Sequence, residues 1–405
     1  MKVVVGHHLW SRVGGGELVN AYVVKSLLDA GHEVAIATTF GFEKEKYKEW
    51  FNLDLGNVKT YTLLPRALPL FGIYQRLGFY IPLRKAIKKE KPSVVFVDNE
   101  LYKPIIKMRE ELGFRLLEYI HFPFHAIRLL KFEPEENREL YEQYIADIKD
   151  YHKKYEKGLW KMYFNVFLKF YGRVARDNPF EVADAVMVNS KYIAKLTKML
   201  WDGEPIVVHP PAKIVDFQPY CAKPFEERDD AVVMVGRISP EKRVENVVEA
   251  IALSNTKPVL RVIGGLIPSN IPYKEKLEKL AEERNVKIEF HINAPREELV
   301  KLTASSKVFV HATVGEHFGI AVVEGMAAGC PVIVHKRGGP YEDITDYGNY
   351  GLAYETVEEL AENIDKLMSS PKLWRYYHEK SLSRAPAFSE ETFKRKLLRV
   401  VEGAV

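Results

Sequence analysis

The chain is 405 residues long, 47% hydrophobic and 28% charged, with a formal net charge of +4, which suits two or three domains with full cores and gives no argument for a nucleic-acid partner. Its two cysteines, Cys221 and Cys330, form neither a disulfide framework nor a metal-ligand spacing and fit a reducing compartment. No stretch approaches the ~20 apolar residues of a membrane-spanning helix, and Met1 leads straight into a strand without a secretory signal pattern, so a cytoplasmic protein is expected.

In chain order, Val3–Gly6 reads as a short buried strand. The glycine-rich turn Gly14-Gly15-Gly16 follows, then an amphipathic helix through Leu28 that Gly31 closes. Glu33–Thr38, Ser93–Asp98, Phe114–Ile120 and Ala185–Asn189 are the next strands, the last leading into a helix from Ser190. Two segments break this rhythm. Thr62–Tyr80 is rich in Leu, Pro, Phe and Tyr, and Phe122–Arg176 is helical in character, with Trp160, Tyr163, Phe164, Phe167, Phe170 and Tyr171 interleaved with Lys and Arg. Neither is needed to complete a sheet; core packing or an added helical lid accounts for both. The stretch from His209 to Asp230 has the turn residues of a linker. A second alternating series follows, with strands at Ala231–Gly236, Pro258–Gly264, Val286–His291, Val308–His311 and Pro331–His335, and the chain ends in a basic amphipathic helix, Glu390–Val401. The expected fold is α/β: two Rossmann-like parallel-sheet halves, 1–208 and 209–389. Glutamine occurs only at Gln75, Gln143 and Gln218, a bias that points to a thermophile.

The stretch from Gly315 to Glu324 (Gly-Glu-His-Phe-Gly-Ile-Ala-Val-Val-Glu) carries the most chemistry. It sets two carboxylates, Glu316 and Glu324, around a helix expected to begin near Phe318 or Gly319. Free N–H groups at Phe318, Gly319, Ile320 and Ala321, and the positive end of the helix dipole, suit a phosphate. Glu324 falls about 7 Å along that helix at ~1.5 Å per residue, the span from a diphosphate to its ribose hydroxyls. Glu316 precedes the helix, where a sugar would lie. Arg237 and Lys242 follow the first strand of the second half, and two cations there stabilise a leaving diphosphate without a metal. Gly15 and Gly16 let the first-half backbone approach a ligand closely, though not at the spacing of a dinucleotide fingerprint. His121 ends a strand, where it can reach a donor sugar or orient an acceptor. His7, His8, Asp98 and His125 sit at or just beyond strand ends and are acceptor-side candidates. His311 and His317 flank the Glu316 loop, and the dispersed histidines show no metal-ligand spacing.

The Glu-x7-Glu pattern, with its Gly-Glu-x-Phe-Gly setting and the following Ala-Ala-Gly-x-Pro-Val-Ile, resembles the signature of retaining glycosyltransferases of family 4. The resemblance covers essentially the whole chain. It implies the GT-B fold, two Rossmann-like domains facing across a cleft, with the C-terminal helix 390–405 crossing back to the first. It also implies a nucleotide-sugar donor, no required metal, diphosphate contacts from Arg237 and Lys242, and a nucleobase near His291. Tyr119-Ile-His-Phe-Pro123, Val208-His-Pro-Pro211 and Gly236-Arg-Ile-Ser-Pro-Glu-Lys242 are similar to segments of the α-1,2-mannosyltransferases that extend dolichol-linked oligosaccharides. GDP-mannose is therefore the favoured donor and a glycan or lipid-linked glycan the acceptor, with peripheral membrane contact through Trp160–Arg176. The alternatives are a UDP- or ADP-glucose-dependent soluble sugar synthase of the same fold, or a catalytically silent sugar-nucleotide-binding subunit.

Overall fold

The computed structural model describes residues 1–11, 14–66, 73–123, 138–152, 157–175 and 178–403. The chain divides into two compact units, Met1–Pro210 with Phe393–Val405, and Pro211–Thr392.

Unit 1 alternates β1 (Lys2–Gly6), α1 (Gly15–Asp29), β2 (Glu33–Phe40), α2 (Glu45–Phe51), β3 (Lys59–Leu64), α3 (Tyr80–Glu90), β4 (Val94–Asp98), α4 (Lys103–Leu112) and β5 (Arg115–Ile120). Then come α5 (Arg138–His152), α6 (Gly158–Val174), β6 (Ala185–Val188), α7 (Lys191–Trp201) and β7 (Ile206–Val207). The seven strands are parallel in the order β3-β2-β1-β4-β5-β6-β7. Helices cover both faces, so the central strands β1 and β4 carry unbroken apolar runs, Val3–Val5 and Val94–Val97, rather than alternating. Val3 and Val5 enter one core, with Tyr119 and Leu117, and Val4 enters the other, with Leu83 and Phe114.

The sheet takes up more of the chain than the sequence suggested. Thr62–Leu64 is not part of an insertion but the end of the edge strand β3, paired with β2 through Thr38 and Phe40. Its burial is only intermediate, which is why its composition reads as loop. In α6, Phe164, Phe167 and Tyr171 are buried against Ile73, Tyr74 and Leu77, so half of the aromatic run is core.

Unit 2 contains β8 (Asp229–Val235), α8 (Val244–Leu253), β9 (Val259–Gly264), α9 (Ile271–Glu283), β10 (Ile288–Ile292), α10 (Arg296–Ser305) and β11 (Ser306–His311). It continues with α11 (Ile320–Ala327), β12 (Val332–His335), β13 (Leu352–Tyr354), α12 (Val357–Ser369), α13 (Pro371–Arg384) and the start of α14 (Glu390–Val401). Six parallel strands run β10-β9-β8-β11-β12-β13. Val232 and Met234 face one core and Val233 the other. The segment read as a linker is instead packed into this unit: Phe217 is fully buried, and Arg228 donates to the carbonyls of Lys223, Ser306 and Ala328 at 2.9, 3.1 and 2.9 Å. One arginine fork thus satisfies loop carbonyls that burial would otherwise leave unpaired. The end of α14 belongs to unit 1, where Phe393, Leu397 and Val400 join the core and Arg115 holds the carbonyls of Val400 and Val401 at 3.1 and 2.7 Å.

Candidate active site

Each sheet has a switch point, where strand order reverses and open α/β sheets hold ligands at the carboxyl ends of their strands. In unit 2 it lies between β8 and β11, whose ends lead into the Gly236–Lys242 and Ala312–Gly319 loops. The two loops meet. Lys242 Nζ donates to Glu316 Oε2 at 2.7 Å, and His311 Nε2, on the last residue of β11, lies 3.3 Å from the same oxygen. Burial alone would raise the Glu316 carboxyl; Lys242, His311 and His317 outweigh it and hold the group well below the usual carboxylate range. Burial also lowers His311 below the ordinary imidazole value, so the lysine supplies the main countercharge. Arg237, on the same loop, points to solvent with 63% of its side chain exposed and lies 3.5 Å from Glu241.

The Glu316 backbone is clamped by a segment the sequence reading passed over. Gly339 N–H donates to Glu316 O at 2.8 Å, and Gly338 forms an isolated parallel bridge with Glu316. A β-carbon at 339 would stand 2.3 Å from His317 O, so the approach requires glycine. The available signal was the Gly-Gly-Pro run just past the β12 strand.

α11 begins one residue after Gly319, whose φ of 95° is left-handed and whose added β-carbon would meet Pro340 at 2.9 Å. The first N–H groups of such a helix have no acceptor within it, and Ile320 and Ala321 supply them here. Phe318 is different: its ring is a core residue, 3% exposed and edge-on to Phe388 at 5.5 Å, so only its backbone is placed to meet a ligand. Glu324, in the second turn of α11, accepts from Arg296 Nη1 at 2.6 Å. Arg296 opens α10, is also paired with Asp216 at 2.9 Å, and lies 5.2 Å from the Phe217 ring centroid. Nothing in the local sequence announces this residue, because its partners are far away in the chain. His291, near the end of edge strand β10, turns its Nδ1 to Glu298 at 3.2 Å.

In unit 1 the switch point lies between β1 and β4. Here Asp98, the last residue of β4 and 4% exposed, lies 2.6 Å from His7 Nδ1 and 3.4 Å from His121 Nε2, and accepts from Asn20. Burial would raise Asp98, but the two facing histidines hold it well below the usual range. Burial would lower His121, and Asp98 raises it above the ordinary value instead. Asp98 thus faces two histidines rather than solvent. His121 is fixed further by its N–H to Asn99 Oδ1 at 3.1 Å and by Asn189 donating to its carbonyl at 3.0 Å. Gly15 and Gly16 lie in the first turn of α1 rather than in a loop, and a β-carbon on Gly16 would sit 3.7 Å from His121 Nε2. His8 stacks edge-on to His7 at 5.2 Å, its carbonyl held by Thr39 N–H at 3.2 Å. His125 lies outside the described residues. Among the described residues, no three His, Cys, Asp or Glu side chains are grouped to hold a metal ion, and no helix is long and apolar enough to cross a membrane.

Comparison with known proteins matches residues 13–212 to Glycosyltransferase Family 4 and residues 222–384 to Glycosyl transferases group 1. Among curated relatives, the GDP-Man:Man(3)GlcNAc(2)-PP-Dol alpha-1,2-mannosyltransferase of Xenopus laevis is 24% identical, covering 98% of this chain and 86% of its own length. The human protein of the same name is 28% identical over 85% and 72%. Among solved structures, sucrose-phosphate synthase from Thermosynechococcus elongatus superimposes with a TM-score of 0.69 at 17% identity, covering 100% of this chain and 98% of its own. Anabaena Alr3699/HepE in complex with UDP gives a TM-score of 0.66 at 15% identity, with 100% of both chains covered.

Proposed function

The chain belongs to the GT-B glycosyltransferases, a Glycosyltransferase Family 4 half followed by a Glycosyl transferases group 1 half, and from that premise we propose that it transfers mannose from GDP-mannose to a lipid-linked oligosaccharide with retention of anomeric configuration. The observation that carries the reading is the Glu316 carboxylate, held ionised beside Lys242 just ahead of the α11 N-terminus, with Glu324 fixed in the second turn. The curated relatives' named activity supports mannose, guanine and the lipid-linked acceptor.

In the proposed reaction the diphosphate lies at Lys242, Arg237 and the first N–H groups of α11. These fixed positive charges stabilise the leaving group as the bond from the anomeric carbon to phosphate breaks. Glu316 accepts hydrogen bonds from sugar hydroxyls, and Glu324 accepts from the ribose. The acceptor oxygen enters on the face the phosphate leaves, and its proton passes to that phosphate, so bonds and charge balance without a protein nucleophile. His121, raised above the ordinary imidazole value by Asp98, donates to donor or acceptor oxygens. An acceptor of this kind resides in a bilayer, so the enzyme works peripherally at a membrane face.

The test is a thermal-shift panel of GDP, UDP and ADP, followed by hydrolysis of the matching sugar nucleotides. Selective stabilisation by GDP, with slow hydrolysis of GDP-mannose, is expected. Preference for UDP or ADP would overturn the mannose assignment in favour of a glucose-nucleotide synthase; stabilisation by a nucleotide with no hydrolysis of any sugar nucleotide would favour a catalytically silent subunit, and no response to any nucleotide would overturn the donor site.

A further inference from the structure

A surface helix of a globular domain needs one apolar stripe to pack on its core, and α6 has two. Phe164, Phe167 and Tyr171 form the buried one. Leu159, Met162, Val166 and Phe170, at i, i+3, i+7 and i+11, form the other, exposed by 79%, 61%, 40% and 46%, with Trp160 beside it at 57%. Single exposed apolar side chains are ordinary, whereas a continuous line of them marks an interaction surface.

Charge identifies what covers it. Gly158–Val174 carries Lys161, Lys169 and Arg173 and no acidic residue. Lys157 precedes the helix, and the Arg173 guanidinium lies 5.7 Å from the Phe170 ring centroid. A tryptophan and flexible apolar chains over an acid-free basic helix match the boundary between acyl chains and anionic headgroups. We infer that α6 docks unit 1 on an anionic bilayer with its second stripe immersed. This rests on the lipid-linked acceptor proposed above and names the surface that meets the lipid.

The helix is joined rigidly to the catalytic edge of its own unit. Tyr74 OH donates to Tyr163 O at 2.8 Å, and two residues on, Arg76 Nε donates to Glu100 Oε2 at 2.8 Å. Glu100 stands two residues past Asp98, the carboxylate that positions His121. Tyr102 OH reaches the same Glu100 oxygen at 2.8 Å. Docking α6 therefore fixes the height of the β4 and β5 ends above the lipid.

The test is flotation of the full chain with vesicles of phosphatidylcholine alone or with about one-third phosphatidylglycerol. The wild type is expected to float with the anionic vesicles only. Leu159→Ser, Met162→Ser and Phe170→Ser together should reduce the floated fraction roughly tenfold, and Lys169→Glu with Arg173→Glu should remove the preference for anionic lipid. An unchanged melting temperature of the triple variant without ligand shows that it folds. A wild type that stays unfloated, or a triple variant that floats as well, overturns the inference. So does a wild-type dimer, without vesicles, that the triple variant converts to monomer, because the stripe would then meet a second copy. Because flotation is read without donor, loss of the GDP-mannose reading leaves this result standing, and the reverse also holds.

Discussion

The chemistry of unit 2 comes down to two glutamates, each with a different cation. Glu316 faces Lys242; in the proposed reaction Lys242 also serves the diphosphate, so donor binding would replace a carboxylate partner with a phosphate one and free Glu316 for sugar hydroxyls. Glu316→Gln keeps the shape and removes the charge; kcat should fall roughly 10²- to 10³-fold, the scale of losing one aimed transition-state contact, with GDP affinity retained. Unchanged kcat would remove Glu316 from the site. Glu324 should act through affinity instead. Glu324→Ala is expected to weaken GDP by about 1.5–3 kcal/mol, a charged hydrogen bond. Arg296→Ala leaves that carboxylate in place but unheld, so KM for the donor should rise roughly fivefold, about 1 kcal/mol of lost positioning, with kcat nearly constant. Equal losses in kcat and kcat/KM would instead make Arg296 part of the transition state.

Asp98 gives a prediction with a sign. It raises His121 above the ordinary imidazole value while its own carboxyl is held low. A raised histidine stabilises the fold fully below its unfolded value of about 6.5 and loses that contribution as pH rises through the folded value. Asp98→Asn leaves burial dominant, so the His121 resonance in an NMR titration should move to lower pH. The stability lead of the wild type should be larger at pH 5.5 than at pH 9, and an unmoved His121 titration would show that Asp98 does not control it.

At the scale of elements, the sequence was most readable where the chemistry is local. A glycine before an apolar helix located α11 to within a residue or two, because a left-handed cap has few other solutions. The central strands were legible because burial on both faces leaves runs dominated by Val and Phe. β3 and β13 were missed, since edge strands carry half-exposed mixed residues. Also out of reach were contacts that depend on register between distant loops: Arg296 with Glu324, and Gly339 with Glu316. The second of these is directly testable. In Gly339→Ala the new methyl collides with His317 O, and the Glu316 loop must shift; turnover should fall at least tenfold, by the usual sensitivity of misplaced catalytic groups, while GDP still raises the melting temperature. A fully active Gly339→Ala enzyme would show that the loop needs no clamp.

At the scale of the molecule, two parallel sheets of similar construction each present polar residues at a switch point, and the alternation of strand and helix was enough to anticipate both. Composition separated the apolar strands from the charged helices, but it could not separate a core helix from a docking one. α6 shows why: both its stripes are apolar, and only packing distinguishes Phe167, buried, from Phe170, exposed. The central claim, retaining mannosyl transfer, is tested most directly by incubating the protein with GDP-mannose, whose mannose is α-linked, and a lipid-linked oligosaccharide in anionic vesicles, then reading the anomeric configuration of the new linkage by NMR. An α-mannoside, formed by the wild type and lost with Glu316→Gln, is the predicted result; a β-mannoside, or transfer only from another sugar nucleotide, would contradict it.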